Sequence, residues 1–335
     1  MADFDFTWVD GERLVRFGAA DPLPLLAERG FEGFALLTTE RAGSQLPALT
    51  DAASQVLHVP AGPVPDAAAD VRQQVGHRPI VALGGGRVID AAKAIAGADD
   101  LLVAAIPTTL SGAPMTAIHR MPAGVDSWNL VRPSLVIADP DLMASQEPAP
   151  RAASAMNALA HAAEALYGPM ANPVAEVVAL RAAEHLARGL EAASEEKARP
   201  ELALGAILAG YAVGSAGFAL HHLLGQTLVR VTGVSHAGAY AVLLPYSLEA
   251  MLERATPALT KLGVALGLGA RNPAAVPARV AELAALAGPR KLSELGMEES
   301  QIDDVVAAAL ERPDLANTPN PPDAEELRAL LRDAL

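Results

Sequence analysis

Short apolar runs in the first part of the chain alternate with segments of helical periodicity. Four runs have the length of buried strands and are bounded by polar residues, glycine or proline: residues 34–38, 79–83, 101–106 and 135–138. Residues 89–96 lie between two of these runs and have helical spacing. Buried strands that alternate with helices are typical of a parallel sheet with crossover helices. The pattern therefore predicts an α/β domain over residues 1–148.

The pattern changes after Pro148-Ala149-Pro150 to long segments rich in Ala, Leu and Glu. Helices are predicted over residues 152–167, 173–192, 202–228, 237–254 and 324–334. Few runs in this part resemble strands, so residues 149–335 are predicted to form an all-helical domain. Ligands often bind in clefts between domains, and such a cleft is the expected place for a site.

Residues 202–220 contain no charged side chain, and this length is close to the ~20 residues that a membrane span needs. The segment is rich in Ala and Gly, lacks a basic flank and runs into His221 and His222. A buried helix is therefore favoured over a membrane span. The first residues carry acids where a signal peptide needs basic ones. We expect a cytoplasmic protein that does not bind membranes.

The charge balance and the cysteine content exclude several classes of function. The chain has 25 Lys and Arg against 39 Asp and Glu, a net charge of −14, which argues against nucleic acid as a partner. It has no cysteine, so it has no disulfide, no thiolate nucleophile and no Cys-bound zinc. A metal would have to be held by His, Asp, Glu or Asn, and a small molecule is the expected substrate.

Two polar turns follow predicted strands. Gly84, Gly85 and Gly86 precede a helix, and such a turn lets backbone N–H groups approach a pyrophosphate. The triplet does not continue as G-x-G-x-x-G, so a simple tight turn stays an alternative. Thr108 and Thr109 follow the next strand, and with Ser111 they offer hydroxyls to a phosphate or an amide.

Histidines and one asparagine form a second candidate constellation. Asn157 and His161 are four residues apart and share one face of a predicted helix. Together with His222 and His236 they make a plausible three- or four-ligand site for a divalent metal. Histidines that are hydrogen-bonded in a core are the alternative.

Four segments in order carry a more specific signal: GGGRVIDAAKAIAG, IPTTLSGAPMT, NALAHAAEALYG and HHLLGQTLVRVTGVSHAGAYAVLLP. Together they resemble the iron-containing (group III) alcohol dehydrogenase superfamily, closest to its maleylacetate reductase branch. The resemblance runs from about residue 14 to the C-terminus. It implies the dehydroquinate synthase-like fold, in which an α/β dinucleotide-binding domain precedes an all-α domain, and it implies a homodimer.

The resemblance also implies NAD(P)H as cofactor. The residues that match the family's cofactor-binding positions are Gly84, Gly85, Gly86, Asp90, Lys93, Thr108, Thr109 and Ser111. Thr39 is expected near the adenosine ribose, where Glu40 would bond ribose hydroxyls. The choice between NADH and NADPH stays open.

His161, His222 and His236 match three metal-binding histidines of the family, and Asn157 replaces its aspartate. Two alternatives follow from the resemblance. In the first, the four residues hold Fe²⁺ or Zn²⁺ less tightly than the usual ligand set does. In the second, as in the maleylacetate reductase branch, the histidines polarise or protonate the substrate carbonyl without a metal. All four are the predicted catalytic residues.

The chain departs from the maleylacetate reductase pattern at polar positions. Leu223 and Gln226 replace a Lys and a His, and Gly238, Tyr240 and Tyr246 replace a Glu and two His. Candidate cations for a dicarboxylate substrate are Arg120, Arg132 and Arg230. The predicted function is NAD(P)H-dependent reduction of a carbonyl or enone in a small substrate, which carries carboxylates if the resemblance extends to it. The alternatives are a metal-dependent alcohol dehydrogenase and a member that has lost redox activity, such as a non-redox biosynthetic enzyme or a nucleotide-binding protein.

Overall fold

The computed structural model describes residues 5–127, 129–269 and 272–335. These residues form two compact units, the first ending at Gln146 and the second beginning at Glu147. This boundary lies beside the prolines at which the sequence pattern changes.

Seven strands form one sheet in the described part of the first unit. They are β1 (Phe6–Asp10), β2 (Arg13–Phe17), β3 (Ala35–Thr38), β4 (Gln55–His58), β5 (Ile80–Gly84), β6 (Val103–Pro107) and β7 (Leu135–Ala138). Their order is β1-β2-β7-β6-β5-β3-β4. The four predicted strands correspond to β3, β5, β6 and β7, and the α/β class of this domain is confirmed.

The sheet is mixed, which corrects the prediction of a parallel sheet. β1 pairs antiparallel with β2 through a hairpin at Gly11, whereas the other paired strands are parallel. Gly11 has a φ of 61°, a conformation that favours glycine. The sequence did not reveal β4, because this strand at the edge of the sheet buries a single residue, Leu57.

Helices cover both faces of the sheet. They are α1 (Pro22–Glu28), α2 (Glu40–Gly43), α3 (Pro47–Ala52), α4 (Val64–Val75), α5 (Gly86–Asp99) and α6 (Pro140–Met143). Leu37 and Ala82 face a core that includes α4 and α5, whereas Leu36 and Leu83 face the opposite core. Because successive strand residues point to opposite faces, strands buried on both sides appear in the sequence as continuous apolar runs.

The second unit is all-helical, as predicted. Its α-helices are α7 (Pro148–Ala165), α8 (Pro173–Leu190), α9 (Glu195–Ala216), α10 (Leu220–Thr232), α11 (His236–Ala250), α12 (Thr256–Ala265), α13 (Val276–Ala284), α14 (Ile302–Leu310) and α15 (Ala324–Ala334). The predicted last helix coincides with α15. The combination of an α/β domain and an all-helical domain agrees with the predicted fold class.

The single helix predicted over residues 202–228 is wrong, because the chain bends by 100° between α9 and α10. Gly217 follows α9 with a φ of 81°, which an L-residue with a side chain rarely adopts. No single helix among the described residues is long and apolar enough to cross a membrane. The bent pair α9 and α10 together has the length and composition of such a span. The bend creates a helix N-terminus immediately before His221 and His222.

Candidate active site

The glycine turn between β5 and α5 is shaped by close packing. A Cβ atom at Gly84 would lie 2.7 Å from Cβ of Val88, and one at Gly85 would lie 3.0 Å from Cγ2 of Thr109. At Gly86 the nearest atom would be Oγ of Ser111 at 3.2 Å. The structure thus brings the glycine triplet together with two of the predicted hydroxyl-bearing residues.

The N-terminus of α5 has the features of a phosphate cradle. Gly85 is the N-cap residue and no side chain caps the helix. The first N–H groups of a helix have no intrahelical partner and, with the helix dipole, favour an anion. Within the described part of the chain, the buried Oγ of Ser111 has no hydrogen-bond partner. Thr108 is fixed beside the turn, because its N–H donates to the carbonyl of Gly84 over 2.9 Å.

Lys93 on α5 is completely buried. Its Nζ donates to three backbone carbonyl oxygens, those of Ala113, Thr116 and Ile118, over 3.0, 3.1 and 2.9 Å. It also forms an ion pair of 2.8 Å with Asp90. Burial lowers the pKa of Lys93, and the nearby Asp90 opposes this effect. These contacts fix the loop that follows Ser111, and a cofactor contact of Asp90 or Lys93 stays a prediction.

Thr39 caps α2 at the end of β3. Its Oγ1 accepts a hydrogen bond of 3.2 Å from the N–H of Ala42. The neighbouring Glu40 is exposed in the first turn of α2. The ends of β3 and β5 lie at the same edge of the sheet, because the two strands are parallel neighbours. This is the edge at which α/β sheets bind dinucleotides, and the contact of Thr39 with a ribose stays a prediction.

The second unit gathers aromatic and imidazole rings into one group, which we call the ring cluster. Its members are His161 on α7, Phe218 just before α10, His221 and His222 on α10, and His236 and Tyr240 on α11. The rings of His161 and His222 stack with their centroids 4.6 Å apart. His236 joins through Tyr240, with their rings stacked at 4.2 Å. All three predicted histidines thus belong to one cluster.

Glu164 is a candidate site residue that the sequence reasoning missed. Its Oε2 lies 2.6 Å from Nδ1 of His222, and its Oε1 accepts hydrogen bonds from the backbone N–H groups of His221 and His222 over 2.7 and 3.3 Å. The carboxylate therefore caps α10 from a different helix. The available signal was its position on α7, one helical turn after His161, in a segment otherwise rich in Ala.

Burial and the neighbouring groups shift the pKa of Glu164 in opposite directions. The carboxyl group is completely buried. Burial raises the pKa of Glu164, whereas His221 and the bonded backbone N–H groups lower it. Burial also lowers the pKa values of His161 and His222 and, with smaller contributions from His222 and other neighbours, lowers the pKa of His221 to about 3. The buried histidines are therefore held in their neutral form.

Hydrogen bonds assign the tautomers of two neutral histidines. His222 donates its Nδ1–H to Glu164, so the lone pair lies on Nε2. His221 has its Nδ1 3.1 Å from Oγ of Ser247, and that hydroxyl donates to the carbonyl of Leu243 over 3.0 Å. Because the hydroxyl proton is already used, His221 donates from Nδ1 and also keeps its lone pair on Nε2.

Several buried polar atoms around α7 and α10 have no hydrogen-bond partner among the residues the structure describes. They are Oδ1 of Asn157, Nδ1 of His161, the hydroxyl of Tyr167 and the Nε2 atoms of His221 and His222. Most buried polar atoms in proteins are hydrogen-bonded, and exceptions call for an explanation such as water, an ion or a catalytic role. Their concentration here marks this region as the candidate site for a polar reacting group.

The three predicted histidine ligands do not form a metal-binding group in the described structure. Over residues 5–127, 129–269 and 272–335, no three His, Asp or Glu side chains form a group that could hold a metal ion. His161 and His222 lie face to face rather than around a common point, and His236 is exposed and stacked on Tyr240. Catalytic zinc sites need three converging protein ligands. The three histidines thus do not present converging ligands, and metal binding by the set that includes Asn157 stays a prediction.

Comparisons with known proteins agree with this architecture. Residues 151–335 match the model of the Fe-containing alcohol dehydrogenase family, C-terminal, and residues 25–146 match that of iron-containing alcohol dehydrogenase. A maleylacetate reductase of Sphingobium indicum is 34% identical over 88% of this chain and 86% of its own. The crystal structure of maleylacetate reductase from Agrobacterium tumefaciens has a TM-score of 0.83 at 28% identity and covers 100% of this chain and 99% of its own. Sulfoacetaldehyde reductase from Bifidobacterium kashiwanohense in complex with NAD⁺ shares the fold, with a TM-score of 0.79 at 21% identity and 93% coverage of both chains.

Proposed function

Since the chain belongs to the Fe-containing alcohol dehydrogenase family, we propose that it is an NAD(P)H-dependent reductase of a carbonyl or enone group in a small molecule. The observation that carries this proposal is the buried pair of Glu164 and His222, in which Nε2 of His222 has no partner within the described chain. Reduction of a carbonyl needs such a group, because the oxygen must receive a proton as the hydride arrives.

The glycine turn supports the cofactor part of the proposal. The pyrophosphate of NAD(P)H would take the N–H groups at the start of α5, and the hydroxyl of Ser111 would donate to a phosphate oxygen. Gly84, Gly85 and Gly86 leave no side chain in the way, and larger residues would collide with Val88, Thr109 and Ser111. The bound nicotinamide supplies the hydride.

In the proposed mechanism His222, neutral at rest, first takes up a proton from solvent on Nε2 and then passes it to the substrate oxygen. Glu164 holds Nδ1–H, so a proton taken up by His222 resides on Nε2, the atom free to donate it to the substrate oxygen. The carboxylate also balances the positive charge of the imidazolium, which burial alone would disfavour. His161, stacked on His222, excludes water from that face, and Asn157 on the same helix offers a polar group to the substrate.

The first experiment separates the proposed reductase from the alternatives. We expect NADH or NADPH to bind, as followed by quenching of the cofactor's fluorescence, and to be oxidised in the presence of small carbonyl compounds. Absence of binding at any concentration contradicts the proposal and favours a non-redox protein. Activity that is lost on chelation and restored by Fe²⁺ or Zn²⁺ favours a metal-dependent alcohol dehydrogenase.

The second experiment tests the residues. His222→Ala should reduce the turnover rate by about 10²-fold or more, because general acid catalysis contributes about that much. His185→Ala is a matched control, since His185 is also buried and pairs with Glu201 over 2.5 Å in the same unit. Equal rates for the two variants contradict the assignment of His222.

A further inference from the structure

Tyr240 on α11 and Gly225 on α10 form one packing unit. Tyr240 is 1% exposed and is among the largest fully buried side chains. A Cβ atom at Gly225 would lie 2.6 Å from Cε2 of Tyr240, closer than real Cβ contacts. The tyrosine ring therefore lies where it does because residue 225 has no side chain.

The ring of Tyr240 borders the proposed proton donor. It meets the ring of His222 edge-on with centroids 5.1 Å apart, and it stacks on His236 at 4.2 Å. The tyrosine hydroxyl turns away to the backbone and donates to the carbonyl oxygen of His222 over 3.4 Å. Tyr240 thus fills space next to the reacting group with an aromatic face rather than a charge.

Helix α10 offers little to an anion on the same side. Its first N–H groups, which would otherwise attract a carboxylate, already bind the protein's own carboxylate, Glu164. The next residue of α10 after His222, Leu223, is apolar and 2% exposed. A carboxylate of a substrate at this position would be repelled by the buried carboxylate of Glu164.

The described cations near α10 do not compensate for this. Arg312 reaches the helix and donates to Oε1 of Gln226 over 2.9 Å, but it is paired with Asp314 over 2.6 Å. Arg230, a candidate cation from the sequence, is exposed at the other end of α10. An ionised carboxylate entering the ring cluster would lose hydration, and neither of these two arginines would offset that cost.

We propose that Tyr240, held in place by Gly225, is a specificity-determining residue that shapes the site for an uncharged carbonyl substrate, an aldehyde, ketone or enone without carboxylates. This inference rests on the proposed function and narrows its substrate class. It differs from the dicarboxylate that the name maleylacetate reductase indicates for the related proteins.

The direct test compares one carbonyl skeleton with and without charge. We expect kcat/KM for dimethyl 3-oxoglutarate to exceed that for 3-oxoglutarate by about tenfold or more, a ratio equivalent to about 1.4 kcal/mol. A ratio of one, or a preference for the dicarboxylate, overturns the inference and leaves the proposed function intact.

Variants test the role of the ring itself. Gly225→Ala should lower kcat/KM for the diester by about tenfold, because it displaces Tyr240, and adding Tyr240→Ala should restore much of the loss. Gly205→Ala is the matched control, since its Cβ would lie 2.7 Å from Cγ of Leu186 on a different helix pair. The inference is wrong if Gly225→Ala and Gly205→Ala change the diester-to-diacid ratio equally, or if Tyr240→Ala restores nothing.

Binding decides the inference if the protein reduces neither compound. The cofactor experiment still decides the proposed function in that case, and calorimetry with unreactive probes then replaces kinetics. We expect succinamide to bind at least about tenfold more tightly than succinate. Equal binding, tighter binding of succinate, or no binding of either probe overturns the inference.

Discussion

Lys93 in the first unit and Glu164 in the second are both completely buried, yet their surroundings differ. Lys93 uses its ammonium group on three backbone carbonyls and on Asp90. Glu164 binds backbone N–H groups with one oxygen and shares the other with His222. A buried charge saturated by the backbone fixes the shape of a loop, whereas one shared with an imidazole controls a proton.

The largest expected effect is a loss of stability when the buried charge of Lys93 is removed. Lys93→Met leaves three carbonyls and Asp90 without their partner, and we expect the free energy of unfolding to fall by about 3–5 kcal/mol. Denaturant unfolding measures it. Arg72→Met is the control, because the ion pair of Arg72 with Asp99 is partly exposed and is worth about 1 kcal/mol or less. Equal losses would show that Lys93 is not a structural centre.

Glu164→Gln is expected to affect activity more than folding. The variant keeps the size of the side chain but loses the charge that orients His222, and rates should fall by about 10–100-fold, as for other partners of functional histidines. The pKa of His222 should also fall in this variant. As the pH rises, activity that needs protonated His222 should therefore disappear at a lower pH than in the parent protein. Glu201→Gln, which alters the partner of His185, should leave the pH–rate profile unchanged. An unshifted profile in Glu164→Gln contradicts the proposed pair.

Gly84→Ala tests steric packing at the glycine turn of the first unit without changing a charge. The added Cβ would lie 2.7 Å from Val88, and overpacking of this kind typically reduces stability by about 1–3 kcal/mol. NAD(P)H should bind more weakly, and a second change, Val88→Ala, should recover part of both losses. Weak binding that Val88→Ala does not recover would indicate that the collision is not the cause.

The smallest effect is the share of one histidine in the acid sensitivity of the ring cluster. Burial lowers the pKa values of His161, His221 and His222, so the unfolded chain binds more protons than the native one below pH about 6.5. Stability should therefore fall as the pH decreases from about 6.5 to 5, by up to about 1.4 kcal/mol per pH unit for each histidine. His221→Asn should reduce this slope by about one histidine's share, as measured by denaturant unfolding at several pH values. An unchanged slope contradicts the neutral state of His221.

The raised pKa of Glu164 acts in the opposite direction. Its native form takes up a proton at higher pH than an unfolded glutamate does, which adds stability as the pH falls towards its ordinary value of 4.5. Comparison with His221→Asn separates the histidine effect from this one, because Glu164 is present in both proteins.

The sequence by itself determined the features that depend on neighbouring residues. Continuous apolar runs gave β3, β5, β6 and β7, and the last helix was placed correctly at Ala324–Ala334. The glycine turn was also readable, since a strand, three glycines and a helix follow one another directly. Its role in cofactor binding stays a prediction, because packing around the turn is what the structure describes.

Tertiary structure decided the features that join distant residues. The apolar pattern continues through Gly217, so the bend between α9 and α10 was invisible, and with it the helix end that Glu164 caps from 57 residues away. The sequence identified Tyr240 only as a departure from the maleylacetate reductase pattern, and its contact with Gly225 appears when α10 and α11 pack. Local periodicity reports which face of an element is buried, but hydrogen bonding and steric fit between elements depend on which residues the folded chain brings together.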